Sequence, residues 1–213
     1  MSVDELAVKF DHYMKRYPEL YDELADVVAQ WVDDGGLVVD VGCGSGLVSV
    51  AVLKRLPAVS VIGVEPSEDM RKVALSNVSK ANVVDRFSVV NGFSDELPFE
   101  EDSVDGVVSR YSLPYWSDPA SSFAELFRVL RPGGVVILEA LNGKFSLLKL
   151  WLTGFHMVGK RSGLGVARYH VDAYKSAYSV DEVKDFLSKA GFVVNFVDSK
   201  KGDWRFLVVG SKP

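Results

Sequence analysis

From Leu37 to Leu56 the chain reads LVVDVGCGSGLVSVAVLKRL, an order of residues that few folds accommodate. Leu37, Val38, Val39 and Val41 are apolar around Asp40; Gly42, Gly44 and Gly46 follow. Leu47, Val50, Ala51, Val52 and Leu56 then recur at the apolar positions of a helix. The pattern predicts a strand, a tight glycine turn and a helix. Glycines in such a turn let a ligand approach backbone N–H groups and the positive end of the helix. Strand–turn–helix units also occur with no ligand, so the three glycines leave both readings open.

The remainder alternates strands and helices. Residues 3 to 32 read as two helical pieces, the second starting at Pro18 and carrying Leu20, Tyr21, Leu24, Ala25, Val28, Trp31 and Val32. Residues 1–34 could form a lid that brings Tyr13 and Tyr17 to a ligand. Further strands are expected at Val59–Val64, Phe87–Val90, Val104–Ser109 and Val135–Leu138, with helices over Glu68–Ala81 and Pro119–Leu130. Ser67 can cap the first of these helices, with Met70 and Val73 on its buried side. Strands nearly continuous in Val and Ile describe a mostly parallel sheet buried on both faces. Ser179 and Glu182 have capping-box spacing before a helix that Gly191 stops. The last two strands, Phe192–Val197 and Trp204–Val209, are joined by too few residues for a crossover and must pair antiparallel. The expected fold is one α/β domain over 1–213, a doubly wound, seven-stranded, mostly parallel sheet with an antiparallel last strand. An inserted cover segment spans 140–178.

The apolar fraction of 48% supplies a core, and the single cysteine excludes an internal disulfide. Cys43, between two glycines, reads as a packing residue. No His/Cys/Asp pattern at metal-ligand spacing appears, so no metal is expected. The N-terminus begins with acidic residues and lacks the apolar run of a secretory signal, and no apolar run is long enough to span a membrane; a cytoplasmic location is the expectation. A net charge of −5 argues against broad nucleic-acid binding. The charge is uneven, however: Ala140–Tyr178 carries Lys144, Lys149, Lys160, Arg161, Arg168 and Lys175 against Asp172 alone.

In an open α/β sheet the ligand crevice lies beyond the carboxyl ends of the strands. The sequence puts a notable group at each such end: Asp40 with the glycine turn, Glu65, Phe93-Ser94-Asp95, Arg110-Tyr111-Ser112 and Glu139. A carboxylate at Glu65 can accept both hydrogen bonds of a ribose diol. Leu47 stands where a dinucleotide fingerprint needs its third glycine, and Asp40 would repel a pyrophosphate while suiting an ammonium. Ribose plus ammonium without phosphate describes S-adenosylmethionine.

With VVDVGCGSG, GVEPSEDM, the block from Asn91 to Trp116 and LRPGG before a strand, the chain resembles the class I S-adenosylmethionine-dependent methyltransferases of the small-molecule type. The resemblance covers Leu37 to about Leu138 closely and Val180–Val209 loosely. It implies a Rossmann-like methyltransferase fold in which Gly42, Gly44 and Gly46 back the methionine portion of the cofactor. It further implies that Asp40 takes the ammonium, directly or through water, and that Glu65, followed by Pro66, holds the ribose. In similar proteins an aspartate accepts from the adenine amino group and the next N–H donates to the ring. Here Phe93 and Ser94 stand at those places, so the N–H role can pass to Ser94, and the carboxylate role falls to Asp95 or to water and backbone. Ser109 and Arg110 would offer backbone carbonyls near the methionine end.

The reaction then needs an acceptor aligned behind the activated methyl, and a base only if the acceptor must first lose a proton. His170 and Glu139 are the candidate bases. Tyr111, Tyr115 and Trp116 should border the acceptor, although Trp116 could instead pack beneath the next helix. The apolar and basic segment 140–178 could cover the cleft, form a dimer contact or lie at a lipid interface, and its charge favours a small anionic acceptor. An RNA or protein acceptor and a non-catalytic protein of the same fold are the alternatives; a monomer and a homodimer both fit.

Overall fold

The computed structural model describes residues 11–12, 15–146, 173–199 and 203–213. Its elements, in chain order, are α1 (Glu19–Trp31), β1 (Leu37–Val41), α2 (Leu47–Arg55), β2 (Ser60–Val64), α3 (Glu68–Lys80), β3 (Phe87–Val90) and β4 (Val104–Arg110). They continue with α4 (Pro119–Val129), β5 (Leu130–Leu141), α5 (Val180–Ala190), β6 (Val193–Asp198) and β7 (Arg205–Ser211). The seven strands form one sheet in the order β3-β2-β1-β4-β5-β7-β6. β1 to β5 pair in parallel and β7 runs antiparallel to both its neighbours. This is the expected doubly wound sheet, and the order reverses at β1 and β4, where the glycine turn emerges.

Alternation along the strands divides the core. Val38, Val61, Val108, Ile137 and Val209 face α1, α2 and α3; Val39, Val64, Val107, Val136 and Val208 face α4 and α5. By the same parity Asp40, Arg110, Glu139 and Arg205 belong to the face that α1 covers. On α3 the buried side differs from the expected one. Val48, Ser49, Ala51, Val52 and Leu53 are the buried residues of α2, and Ala74, Asn77 and Val78 those of α3, while Met70 and Val73 stay partly exposed. β5 is far longer than expected: it takes in Pro132, Gly133 and Gly134, because Gly133 N–H bonds to Lys212 O and Lys212 N–H to Gly134 O.

Of the N-terminal lid, α1 and the stretch just before it are described, whereas residues 1–10, 13 and 14 lie outside the described residues. So does 147–172, which holds most of the inserted segment. Among the described residues no helix is long and apolar enough to cross a membrane.

The capping box of α5 is formed in both directions: Glu182 N–H donates to Ser179 Oγ and Ser179 N–H to Glu182 Oε2, at 3.4 and 2.7 Å. Losing a cap of this kind costs about 1 kcal/mol. Ser179→Ala should therefore lower the thermal midpoint by roughly 2–4 °C in a domain of this size, measured by circular dichroism.

Candidate functional site

Each glycine of the first turn has its own reason. Gly42, Gly44 and Gly46 all sit at positive φ, where a Cβ is disfavoured. At Gly42 a Cβ would stand 2.4 Å from Ser112 Cβ, and at Gly46 3.0 Å from Ala74 Cβ; those two permit close packing of loop against loop and helix against helix. A Cβ at Gly44 would meet nothing within 4 Å, so this glycine faces open space at the carboxyl edge of the sheet. Cys43 points inward, its sulfur on Gly63, and burial pushes its thiol well above the usual range. It is a packing residue, as expected.

Glu65 ends the next strand and turns back onto that loop. Its Oε2 accepts from Gly44 N–H at 3.0 Å and its Oε1 from Ser67 N–H at 2.9 Å, the start of α3. Burial raises its pKa, opposed by the two N–H donors and by Arg71. Arg71 donates to the carbonyls of Glu65 and Pro66 at 2.7 and 2.8 Å and to Asn91 Oδ1 at 3.1 Å, bracing the ends of β2 and β3.

Asp40 lies behind the loop, 1% exposed. Ser49 donates to it through its hydroxyl, at 2.6 Å, and through its backbone N–H, so Asp40 caps the first turn of α2 from the strand below. Burial lifts its carboxyl to about 7.

At the end of β3, Phe93 is 58% exposed and Ser94 is buried with its hydroxyl 2.8 Å from that of Ser122. Asp95 Oδ2 accepts from Ser117 at 2.7 Å. At the end of β4, Ser109 and Ser112 both donate to Val41 O, tying this strand to the glycine turn. Trp116 donates from Nε1 to Ser112 Oγ and packs edge-on against Phe123, 5.5 Å between centroids, the packing alternative entertained for it. Tyr115 is 47% exposed, Tyr17 is half-buried, and Tyr111 is half-buried in a left-handed conformation, φ +56.

The two carboxylate oxygens of Glu139 are each taken by a guanidinium, Oε2 by Arg110 and Oε1 by Arg205. Glu139 is thereby clasped between two guanidiniums. His170 and Tyr13 lie outside the described residues.

Several participants had escaped the sequence reading. Asp11, Lys15 and Asn77 form a closed set: Lys15 Nζ reaches Asp11 and Asn77, each at 2.6 Å, and Asn77 Nδ2 donates to Asp11 Oδ1 and to Ser45 O in the glycine turn. Asn77 could have been found as the one polar residue on the apolar side of its helix. Arg205 and Tyr21 carried no such signal. Among the described residues no group of His, Cys, Asp and Glu is placed to hold a metal.

Comparison with known proteins agrees with this geometry. A family described as "Methyltransferase domain" matches residues 39–138. A Ubiquinone/menaquinone biosynthesis C-methyltransferase from Geotalea daltonii is 30% identical over 159 residues, 74% of this chain and 66% of that protein. A Demethylmenaquinone methyltransferase from Lactiplantibacillus plantarum is 35% identical over 114 residues, 53% of this chain and 48% of that protein. The chain thus spans slightly under two thirds, or less, of the length of these relatives. A crystal structure of a putative S-adenosyl-L-methionine-dependent methyltransferase from Methanococcus maripaludis covers 98% of this chain and 93% of its own, with a TM-score of 0.75 at 24% identity.

The raised carboxyl of Asp40 carries a stability consequence. Between the ordinary carboxylate range and about 7 the folded chain holds a proton that the unfolded chain releases, so stability falls as pH rises through that window. Asp40→Asn removes the term, and its unfolding free energy should gain on the parent by about 4 kcal/mol between roughly pH 4 and pH 8, as urea titrations would show. The family match over residues 39–138 and the match of fold both fall on the strands and turns that build this cleft, and the chain has the Rossmann-like fold of the S-adenosylmethionine-dependent methyltransferases.

Proposed function

We propose that this chain binds S-adenosylmethionine across the carboxyl ends of β1 to β4 and transfers its methyl group, by in-line displacement, to a small planar acceptor of the hydroquinone type. The observation that carries the cofactor assignment is the Glu65 carboxylate beside Gly44. It is held in place by two backbone N–H groups, and each oxygen keeps a lone pair for a ribose hydroxyl. The open space at Gly44 gives the ligand room that a side chain would fill.

When bound, the cofactor supplies a methyl group activated by a sulfonium. The chain's own residues then do four things. Gly42, Gly44 and Gly46 present backbone to the methionine portion, with Ser109 and Arg110 offering carbonyls opposite. Asp40 supplies negative charge behind the loop, and an ammonium near it would hold its proton off. Glu65 and the turn at Pro66 position the ribose. Phe93 offers an exposed ring to the adenine face, Ser94 an N–H to its edge, and Asp95 the carboxylate oxygen that Ser117 leaves over.

Tyr17, Tyr111 and Tyr115 border the acceptor side, with Trp116 packed on Phe123. Glu139, with both oxygens engaged, acts by orienting two arginines and not as a base. An acceptor that enters as an oxyanion needs no base, and His170 is then dispensable for the transfer. The relatives named for menaquinone and ubiquinone chemistry support a hydroquinone acceptor.

Gly44→Val tests the cofactor reading. The side chain enters open space at a cost in backbone strain of about 1–2 kcal/mol, so the fold should survive. Calorimetry with S-adenosylhomocysteine should show saturable binding to the parent and a loss of at least roughly tenfold in the variant. Methyl transfer from labelled S-adenosylmethionine to anaerobically reduced hydroquinones should mark a ring product. No saturation of the parent contradicts the cofactor reading, and labelling confined to carboxylate metabolites contradicts the acceptor.

A further inference from the structure

Arg110 is the last residue of β4 and is buried, its side chain 3% exposed. Its Nε donates to Glu139 Oε2 and its Nη2 makes a long contact, 3.4 Å, with Tyr111 Oη. Nη1 is fully buried and has no hydrogen-bond partner among the described residues. Leaving a charged donor unpaired in the interior costs more than leaving a neutral one, so such a group calls for a physical reason.

Its surroundings define what could satisfy it. The guanidinium carbon stands 4.3 Å from the centroid of Tyr21 and 4.5 Å from that of Tyr111, so two aromatic rings hold the plane. Glu139 cannot neutralise it fully, because Arg205 shares the same carboxylate. One buried anion between two guanidiniums leaves positive charge at the Arg110 edge, with Arg205 drawn partly outward to Glu23.

The place is the cleft's own. Asp40, Arg110 and Glu139 lie at the carboxyl ends of the adjacent strands β1, β4 and β5, on the same side of the sheet. Ser109, next to Arg110, is tied to Val41 just before the glycine turn. Asp11 acts electrostatically on Tyr21, and through Asn77 it reaches Ser45 in that turn. The aromatic box around Arg110 and the glycine turn are therefore neighbours on one face.

We infer that Arg110 Nη1 receives the anionic oxygen of the acceptor, a planar aryl oxyanion, and so fixes the ring for methyl transfer; this rests on the methyl-transfer reading above. A single planar donor edge between two rings matches a flat oxyanion and excludes a hydrated ammonium. On binding, the phenol proton leaves to solvent and Arg110 holds the resulting phenolate. The ring's electron pair, pushed from that oxygen, forms the new bond from the adjacent carbon to the methyl. The methyl–sulfur pair goes to sulfur, and the displaced ring proton leaves to water as aromaticity returns. Glu139 is a positioning residue in this scheme.

The test uses 4-nitrophenol, whose phenolate is coloured and whose phenol is not, with the protein saturated in S-adenosylhomocysteine. Bound to the parent, its apparent pKa should fall by about one unit, a tenfold preference for the phenolate. In Arg110→Met, which keeps the backbone carbonyl offered to the cofactor, the shift should vanish. Because that variant leaves one oxygen of Glu139 unpaired, Arg110→Met/Glu139→Gln removes both members of the buried pair and should give the same result if the single variant fails to fold. An unshifted or unperturbed spectrum in the parent, or an equal shift in the double variant, overturns the assignment. Loss of S-adenosylhomocysteine affinity on substitution also overturns it, since Arg110 would then serve the donor's own carboxylate. A parent that never binds S-adenosylhomocysteine sinks the methyl-transfer reading instead, and the nitrophenol titration without cofactor separates the two failures.

Discussion

The Glu65 carboxylate accepts from Gly44 on one side and Ser67 on the other, so the first turn and the entry to α3 are joined through one side chain. Everything at the carboxyl edge is referred to that junction. The N–H groups of Gly42 and Cys43 bond to Val64 O, and Glu65 N–H bonds to Val90 O, which brings the ends of β1, β2 and β3 to one level. Arg71 braces the same level from α3. Hydrogen bonds thus cross-link the backbone at the carboxyl ends of three adjacent strands.

Charge is distributed along the same edge with a consistent logic. Each buried ionisable group sits where a turn or helix start can donate to it, or where an opposite charge can clasp it. Asp40 takes Ser49 from the helix above; Glu139 takes two guanidiniums from the strands beside it. Replacing one member of such a set leaves the other buried and unpaired, which is costlier than replacing both. Arg110 fits that logic through Glu139 but keeps one donor, Nη1, with no partner among the described residues.

How much of this was legible beforehand depended on range. The strand–turn–helix of Leu37–Leu56, the Ser67 cap and the Ser179–Glu182 box are local, and local pattern sufficed for them. Glu65 was readable because its distance from the glycines fixes it at a strand end. The two guanidiniums on Glu139 were not: Arg205 lies 66 residues further along the chain, and only the antiparallel insertion of β7 beside β5 brings it there. Since the sequence leaves strand order open, Glu139 reads equally as a candidate base and as a member of a cap or salt bridge, and its partners stay unnamed. Asp40 misled in a milder way. Its position was right, but the helix it caps sits directly over it, so it works from behind the turn and not on its surface.

The most direct measurement is a crystal structure of the chain with S-adenosylhomocysteine bound. The account predicts Glu65 unmoved, still accepting from Gly44 and Ser67, with both ribose hydroxyls on its carboxylate and the homocysteine portion over Gly44. A nucleoside bound elsewhere, or a Glu65 side chain swung out of an occupied cleft, would contradict it.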